Sequence, residues 1–241
     1  MSGGASLFEL WVYLSASPLL WLTLTIGVFL AARAVARASG DHPLVNPILL
    51  SIAVLVALLA ATDTPYATYF SGAQVVHFML GPATVALAVP LWRNRALVRS
   101  MLGPVLLALP AGALAATGSA VGLGLLFGVP EPLLLALAPK SVTAGIAMGI
   151  AGEIGGDPAL TAVFVIATGI IGAILVTPLM NALGIRDYAA RGFAAGLASH
   201  GIGTARAFQV DGVAGTFAGL AMALNGLLTA LVVPIVVGLL R

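Results

Sequence analysis

Two basic side chains lie where an apolar chain should not carry them. Lys140 sits in Ala138-Pro139-Lys140-Ser141-Val142-Thr143, and His200 in Ala198-Ser199-His200-Gly201-Ile202-Gly203-Thr204. Each segment interrupts an apolar stretch and is built from residues that break a helix. A break inside an apolar helix leaves half-helix ends, and a half-helix N-terminus offers free N–H groups and about half a positive charge. Such an end is a carboxylate receptor. Ser141 and Thr143 could add hydroxyls on one side, and Ser199 and Thr204 on the other. Gly201 and Gly203 allow close backbone approach. A buried lysine could pair with a carboxylate or lose its proton during a cycle; the alternative is a lysine that snorkels to an interface. The imidazole of His200 suits a proton relay or a pH-sensitive contact, or is simply bonded to backbone carbonyls. Arg206 could clamp a carboxylate in two-pronged fashion, or pair with lipid or protein. Three further polar groups are secondary candidates for a cavity: His77, Thr84 near the helix-kinking Pro82, and Asn225. For these, packing and helix–helix hydrogen bonding are the plainer roles.

The elements that must position these residues are membrane helices. The chain has 241 residues, 61% hydrophobic and only 7% charged, with mean hydropathy +1.13. A soluble domain carries about 25% charged residues, so the charges here are too few to cover a water-facing surface. Strand-type alternation is absent, so the spans are helices. The expected class is an all-α polytopic membrane protein with about six to eight membrane segments. Apolar runs predict helices at about 15–36, 45–61, 72–92, 102–127, 158–183 and 213–240, with the two interrupted segments at about 131–152 and 188–209. The first run carries no positive cluster before it and does not read as a signal peptide.

The interrupted segments form a weak internal repeat. Phe127-Gly128-Val129-Pro130-Glu131 leads into the first, and Leu183-Gly184-Ile185-Arg186-Asp187 into the second. A glycine turn is expected after each, at Gly155-Gly156 and at Gly212, giving units of roughly 102–156 and 158–212. Arg33, Arg37, Arg93, Arg95, Arg99, Arg186 and Arg191 belong on the cytoplasmic side by the positive-inside rule. Asp63, Glu131 and Asp157 belong outside. This assignment works if the two broken helices are re-entrant and enter from opposite faces, as in an inverted repeat with a site near the midplane.

Enzymatic chemistry is not expected. The chain has no nucleophile elbow, zinc-protease pair or phosphate loop. Ser141 and Lys140, as neighbours on a helix, would point about 100° apart, which argues against a Ser–Lys hydrolase. Three histidines and no cysteine make a metal site improbable, and no cofactor is called for. The net charge of +2 is too small to imply a nucleic-acid partner.

The two polar segments, with Ile146-Ala147-Met148 and Ala205, resemble signatures of the LrgB/CidB family. Asn46-Pro47, the stretch from His77-Phe78 through Gly81-Pro82-Ala83-Thr84 to Pro90-Leu91, and Pro158-Ala159-Leu160-Thr161-Ala162 are similar as well. The resemblance covers nearly the whole chain. It implies a single LrgB-like transmembrane domain over 1–241, with scaffold helices at about 1–100 and a transport core at about 101–241. Bacterial members were described as antiholin-like regulators of murein hydrolase export, and usually occur with a small LrgA/CidA-like membrane partner. The plastidic glycolate/glycerate transporter resembles the two fused, and some bacterial pairs are associated with pyruvate. The resemblance therefore points to a secondary transporter of small 2-hydroxy or 2-oxo monocarboxylates working by alternating access, for which an elevator-like movement and proton or sodium coupling are open alternatives; no cofactor is expected. The alternative it carries is a holin/antiholin-like regulator of membrane permeability. A homodimer, an LrgA/CidA-like partner, surrounding lipid and the bacterial inner (plasma) membrane are the expected associations. The family pattern often has an acidic residue after Ile-Ala-Met, where this chain has Gly149, so no ion-coupling role is assigned there.

Overall fold

The computed structural model describes residues 17–240, which form helices joined by short turns, with no strand among them. The contacts divide the chain into two compact units, Met1–Ala86 and Leu87–Arg241. Residues 15 and 16 of the expected first helix lie outside the described residues.

The first unit holds α1 (Pro18–Ala38), α2 (Pro47–Ala61), α3 (Tyr66–Phe78) and α4 (Leu80–Ala86). Asn46 caps α2, its Oδ1 accepting from the Ile48 and Leu49 amides at 2.9 and 3.1 Å, and Pro47 fills the first helical position. α1 packs on α3. Trp21 is fully buried, edge-on to Tyr69 at 5.9 Å. Gly72 lets the two backbones touch, because a Cβ there would meet Cβ of Trp21 at 2.9 Å. Arg33 pairs with Asp41 across the end of α1.

The expected third helix begins six residues early and comes in pieces: α3, α4 and then α5 (Ala88–Arg93). Two prolines explain the breaks. Pro82 has no N–H for the carbonyl of Phe78, where α3 stops, and Pro90 none for that of Ala86, where α4 stops.

The second unit begins with α5 and a short α6 (Arg95–Ser100) that the sequence did not predict. The Asn94 amide donates to Thr216 Oγ1 at 3.0 Å, and α5 packs on the last helix, which is why this unit starts well before residue 101. Then follow α7 (Leu102–Leu126), α8 (Glu131–Leu137), α9 (Ala144–Ile154), α10 (Pro158–Ala182), α11 (Tyr188–Val210) and α12 (Gly212–Leu240). Asp157, Asp187 and Asp211 are helix caps, each accepting from amides in the first turn of α10, α11 or α12. The expected turn at Gly212 falls one residue earlier, at the extended Asp211. Gly155 ends α9 in the left-handed region, as a helix C-terminus commonly does.

Both interrupted segments are helical hairpins. A helix running straight from Leu135 to Gly156 would separate them by about 30 Å. Instead a Cβ on Gly156 would meet the backbone of Leu135 and Ala136 at 3.0 Å, so α9 doubles back along α8. In α11 the break is at Ser199 (φ −129°, ψ 15°) and His200 (φ 41°, ψ −132°). A Cβ on Gly203 would meet the Ala195 carbonyl oxygen at 2.5 Å, and Tyr188 and Val210, the two ends of α11, line one small pocket. The chain therefore folds back at His200. Hairpin 1 joins α10 at its start and hairpin 2 at its end, so the two approach from opposite ends of that helix.

Five stretches among the described residues are long and apolar enough to cross a membrane: Pro18–Ala38, Tyr66–Arg93, Leu102–Leu126, Pro158–Ala182 and Gly212–Ile235. Together with the hairpins they make an all-α multi-pass membrane protein. Within the second unit, the chain order places the start of α7, the end of α10 and the mouth of hairpin 2 on one side. Arg93, Arg95, Arg99, Arg186 and Arg191 belong to that side, and Glu131, Glu153 and Asp157 to the other. The charge rule makes the arginine side cytoplasmic.

Candidate functional site

Hairpin 1 turns because Pro139 and Thr143 stop it from continuing as a helix. Two successive tight turns carry the tip, with the Lys140 amide donating to the Leu137 carbonyl (3.1 Å) and the Val142 amide to that of Pro139 (3.2 Å). Pro139 and Ser141 are buried, while Lys140 and Thr143 are half-buried. The Lys140 ammonium donates to Ser141 Oγ at 3.1 Å. Thr143 is the N-cap of α9 but its hydroxyl makes no capping bond. The first amides of α9 are thus left for another acceptor, and Gly145 beside them is exposed with nothing within 4 Å of a built Cβ.

Hairpin 2 turns at a residue in a costly conformation. A non-glycine residue at positive φ costs on the order of 1–3 kcal/mol and persists only where its surroundings hold it. Here His200 Nε2 lies 3.0 Å from the carbonyl oxygen of Val165 on α10. A carbonyl only accepts, so Nε2 carries the proton and Nδ1 is left as the titratable nitrogen. Thr204 Oγ1 donates to the His200 carbonyl at 2.8 Å, tying the tip to the leg that follows. Ser199, His200, Gly203 and Thr204 are buried and Gly201 is exposed. Asn225 ties the two tips to one locus, its amide donating to the carbonyls of Ser141, next to Lys140, and of Leu197, three residues before His200.

Four glycine contacts seat hairpin 2, and none was singled out in the sequence. A Cβ on Gly169 would meet His200 Cε1 at 2.7 Å, and one on Gly172 would meet Ser199 Cβ at 2.8 Å. The first leg lies on α12 through Gly192 and Gly196, whose built Cβ atoms would strike the backbone at Ala214 and Ala218 at 2.6 Å. Small residues four apart facing small residues four apart are the usual signature of close membrane-helix approach.

Asn225 lies between the tips. It is 1% exposed, and its Nδ2 donates to the Ser141 carbonyl of hairpin 1 (3.3 Å) and the Leu197 carbonyl of hairpin 2 (3.1 Å). Arg206 is not brought to the tips. It lies six residues on, donates to Gln209 Oε1 at 3.3 Å, and lines the small pocket at the hairpin mouth with Arg191 and Tyr188. His77 and Thr84 belong to the first unit and are exposed. His77 packs edge-on against Phe70 at 5.8 Å, and Thr84 donates to its own helix at Leu80. Among the described residues no group of three or more metal-ligating side chains occurs.

The arrangement gathers donors of the kind that suit a small anion. Two half-helix N-termini, those of α9 and of the leg beginning at Gly201, start at adjoining tips beside an ammonium and an imidazole. A carboxylate there would meet N–H donors, hydroxyls and positive charge without a buried acid to oppose it.

Comparison with known proteins gives a consistent result. The LrgB-like family model matches residues 25–239. The chain is 34% identical over 213 residues to a Bacillus subtilis protein named YwbG, covering 88% of this chain and 94% of the relative. It is 32% identical over 218 residues to YxaC of the same organism, covering 90% and 94%. It is 28% identical over 225 residues to the holin-like protein CidB of Staphylococcus epidermidis, covering 93% and 97%. No solved structure matches the chain.

Proposed function

The chain belongs to the LrgB-like family as a multi-pass protein of the bacterial plasma membrane, and from that premise we propose that it carries small monocarboxylates across the bilayer by alternating access. The observation that carries the reading is that Asn225 joins the tips of two broken-helix hairpins, one bearing Lys140 and the other His200. Broken helices at mid-membrane are a recurring way to bind a small polar substrate in a carrier. A 2-hydroxy or 2-oxo acid such as glycolate, glycerate or pyruvate matches the donors in number. Its carboxylate would take Lys140 and the amides of α9, and its second oxygen would take the hydroxyl of Thr143, while Thr204 holds the His200 carbonyl in place. Ser141 and Ser199 set the tips, and Gly201 gives the ligand access to backbone. The hairpins would carry the ligand between the faces, with proton or sodium movement as the coupled step.

A second reading rests on a specific observation. The staphylococcal relatives are named holin-like proteins, and those names back a permeability role more directly than they back a carrier. In that reading an oligomer of this chain, alone or with an LrgA/CidA-like membrane protein, alters what the membrane passes.

Purified chain in liposomes separates the two. A carrier gives saturable uptake of labelled pyruvate, glycolate or glycerate, accelerated by unlabelled acid on the far side, and Lys140→Ala and His200→Ala lower it while the protein remains folded. Size-graded leakage of unrelated solutes, indifferent to both substitutions, would refute the carrier and support the holin-like role.

A further inference from the structure

Asn225 stands 13 residues into α12, in the apolar interior, with no charged group beside it in sequence. Its two amide hydrogens go to two different hairpins, one to the Ser141 carbonyl and one to the Leu197 carbonyl. Both carbonyls are products of the helix breaks. Ser141 lies in the turn between α8 and α9. Leu197 is in the last turn of its leg, and the non-helical Ser199 and His200 remove the regular amide partner such a carbonyl needs. The remaining polar atom, Oδ1, accepts from Thr229 Oγ1 one turn along α12 at 3.3 Å. That bond fixes which edge of the amide faces the hairpins.

We infer that Asn225 is the positioning residue that locks the two hairpin tips to each other and to α12, so that both hairpins and α12 move as one body. The role does not touch the ligand. It rests on the carrier reading in one respect, that the tips frame a site. The physical reason is the shortage of alternatives. Two buried carbonyls from separate segments need donors, and in an apolar interior one side chain with two donors supplies both. If either hairpin swung open alone, it would leave its carbonyl and one Asn225 hydrogen unpaired. Moving together costs no bond.

The test uses the whole chain, whose lack of cysteine gives a silent background. Spin labels at Met148→Cys on hairpin 1 and Ala205→Cys on hairpin 2, both exposed positions, report the separation of the hairpins in liposomes. The expected result is a narrow distance distribution in the parent, broadened or shifted by Asn225→Leu, which keeps the volume and removes both donors. Half-saturation of uptake is expected to rise by up to about tenfold, the scale of losing one well-made hydrogen bond, with the maximal rate much less affected. An unchanged distribution in Asn225→Leu overturns the inference. Should that variant not fold, Asn225→Ser, which keeps one donor, decides: broadening supports the lock and a parent-like distribution overturns it. The distances decide this whether or not the parent transports, whereas absence of saturable uptake in the parent would fail the carrier reading alone.

Discussion

A single methyl group at Gly172 should damage the site more than the same methyl elsewhere on an exposed helix face. A Cβ at Gly172 would overlap Ser199 Oγ and stand 2.8 Å from Ser199 Cβ. Rotating the hydroxyl relieves the first clash but not the second. Carbon atoms rest at about 3.5–4.0 Å, so the tip of hairpin 2 must retreat by roughly 1 Å. Ser199 is buried at that tip, and His200 beside it relies on a 3.0 Å bond to Val165 for its strained backbone. Overpacking of this kind costs about 1–3 kcal/mol, against which the helix-propensity gain of alanine returns up to about 1 kcal/mol. Gly172→Ala should therefore lower thermal stability and cut uptake by at least about tenfold, since small misplacements of a binding group are expensive. Gly118→Ala is the control, because a Cβ there meets nothing within 4 Å. It should transport as the parent does and melt at the parent's temperature or slightly above it. If Gly172→Ala transports and melts as Gly118→Ala does, the seating of hairpin 2 on α10 is wrong.

Other consequences are as concrete. Lys140→Ala should weaken substrate affinity by about ten- to a hundredfold, the worth of a charge-assisted hydrogen bond at about 1.5–3 kcal/mol, read as half-saturation of uptake; an unchanged value would remove Lys140 from the site. Single cysteines replacing Asp157 and Arg186 should react with impermeant thiol reagents from opposite faces, and labelling from one face would contradict the opposed hairpins. Gly196→Val should separate hairpin 2 from α12, because the added carbon strikes the Ala218 backbone; loss of folded protein or of thermal stability checks it.

Much of this was legible in the sequence for a physical reason. Lipid tolerates unwound backbone only where protein shields it, so helix breakers inside an apolar run announce themselves. That logic located both breaks, and the arginine pattern led to the expectation that they enter from opposite faces. It also overextended the second break. Only Ser199 and His200 leave the helical region, and Gly201 through Thr204 already belong to the returning leg. Arg206 looked close to His200 in sequence, but a helical leg carries it away at about 1.5 Å per residue. Asn225 was read as a helix–helix bond; its partners are two loosened carbonyls, which no local pattern reveals because they lie 84 and 28 residues away. The segmentation of Tyr66–Arg93 was available from Pro82 and Pro90, each stopping a helix four residues earlier. The Gly192/Gly196 and Ala214/Ala218 seam was present as spacing but becomes informative only once the two segments are known to touch.

The most direct test of the central claim is ligand protection at the open end of α9. Gly145→Cys places a thiol at an exposed position with free space around it, in the first turn after Thr143. In the otherwise cysteine-free chain, its alkylation rate should fall when pyruvate, glycolate or glycerate is added, while a thiol at Gly103→Cys, at the start of α7, reacts unchanged. Protection should disappear with Lys140→Ala. Equal alkylation of Gly145→Cys with and without all three acids would contradict a carboxylate site between the hairpin tips.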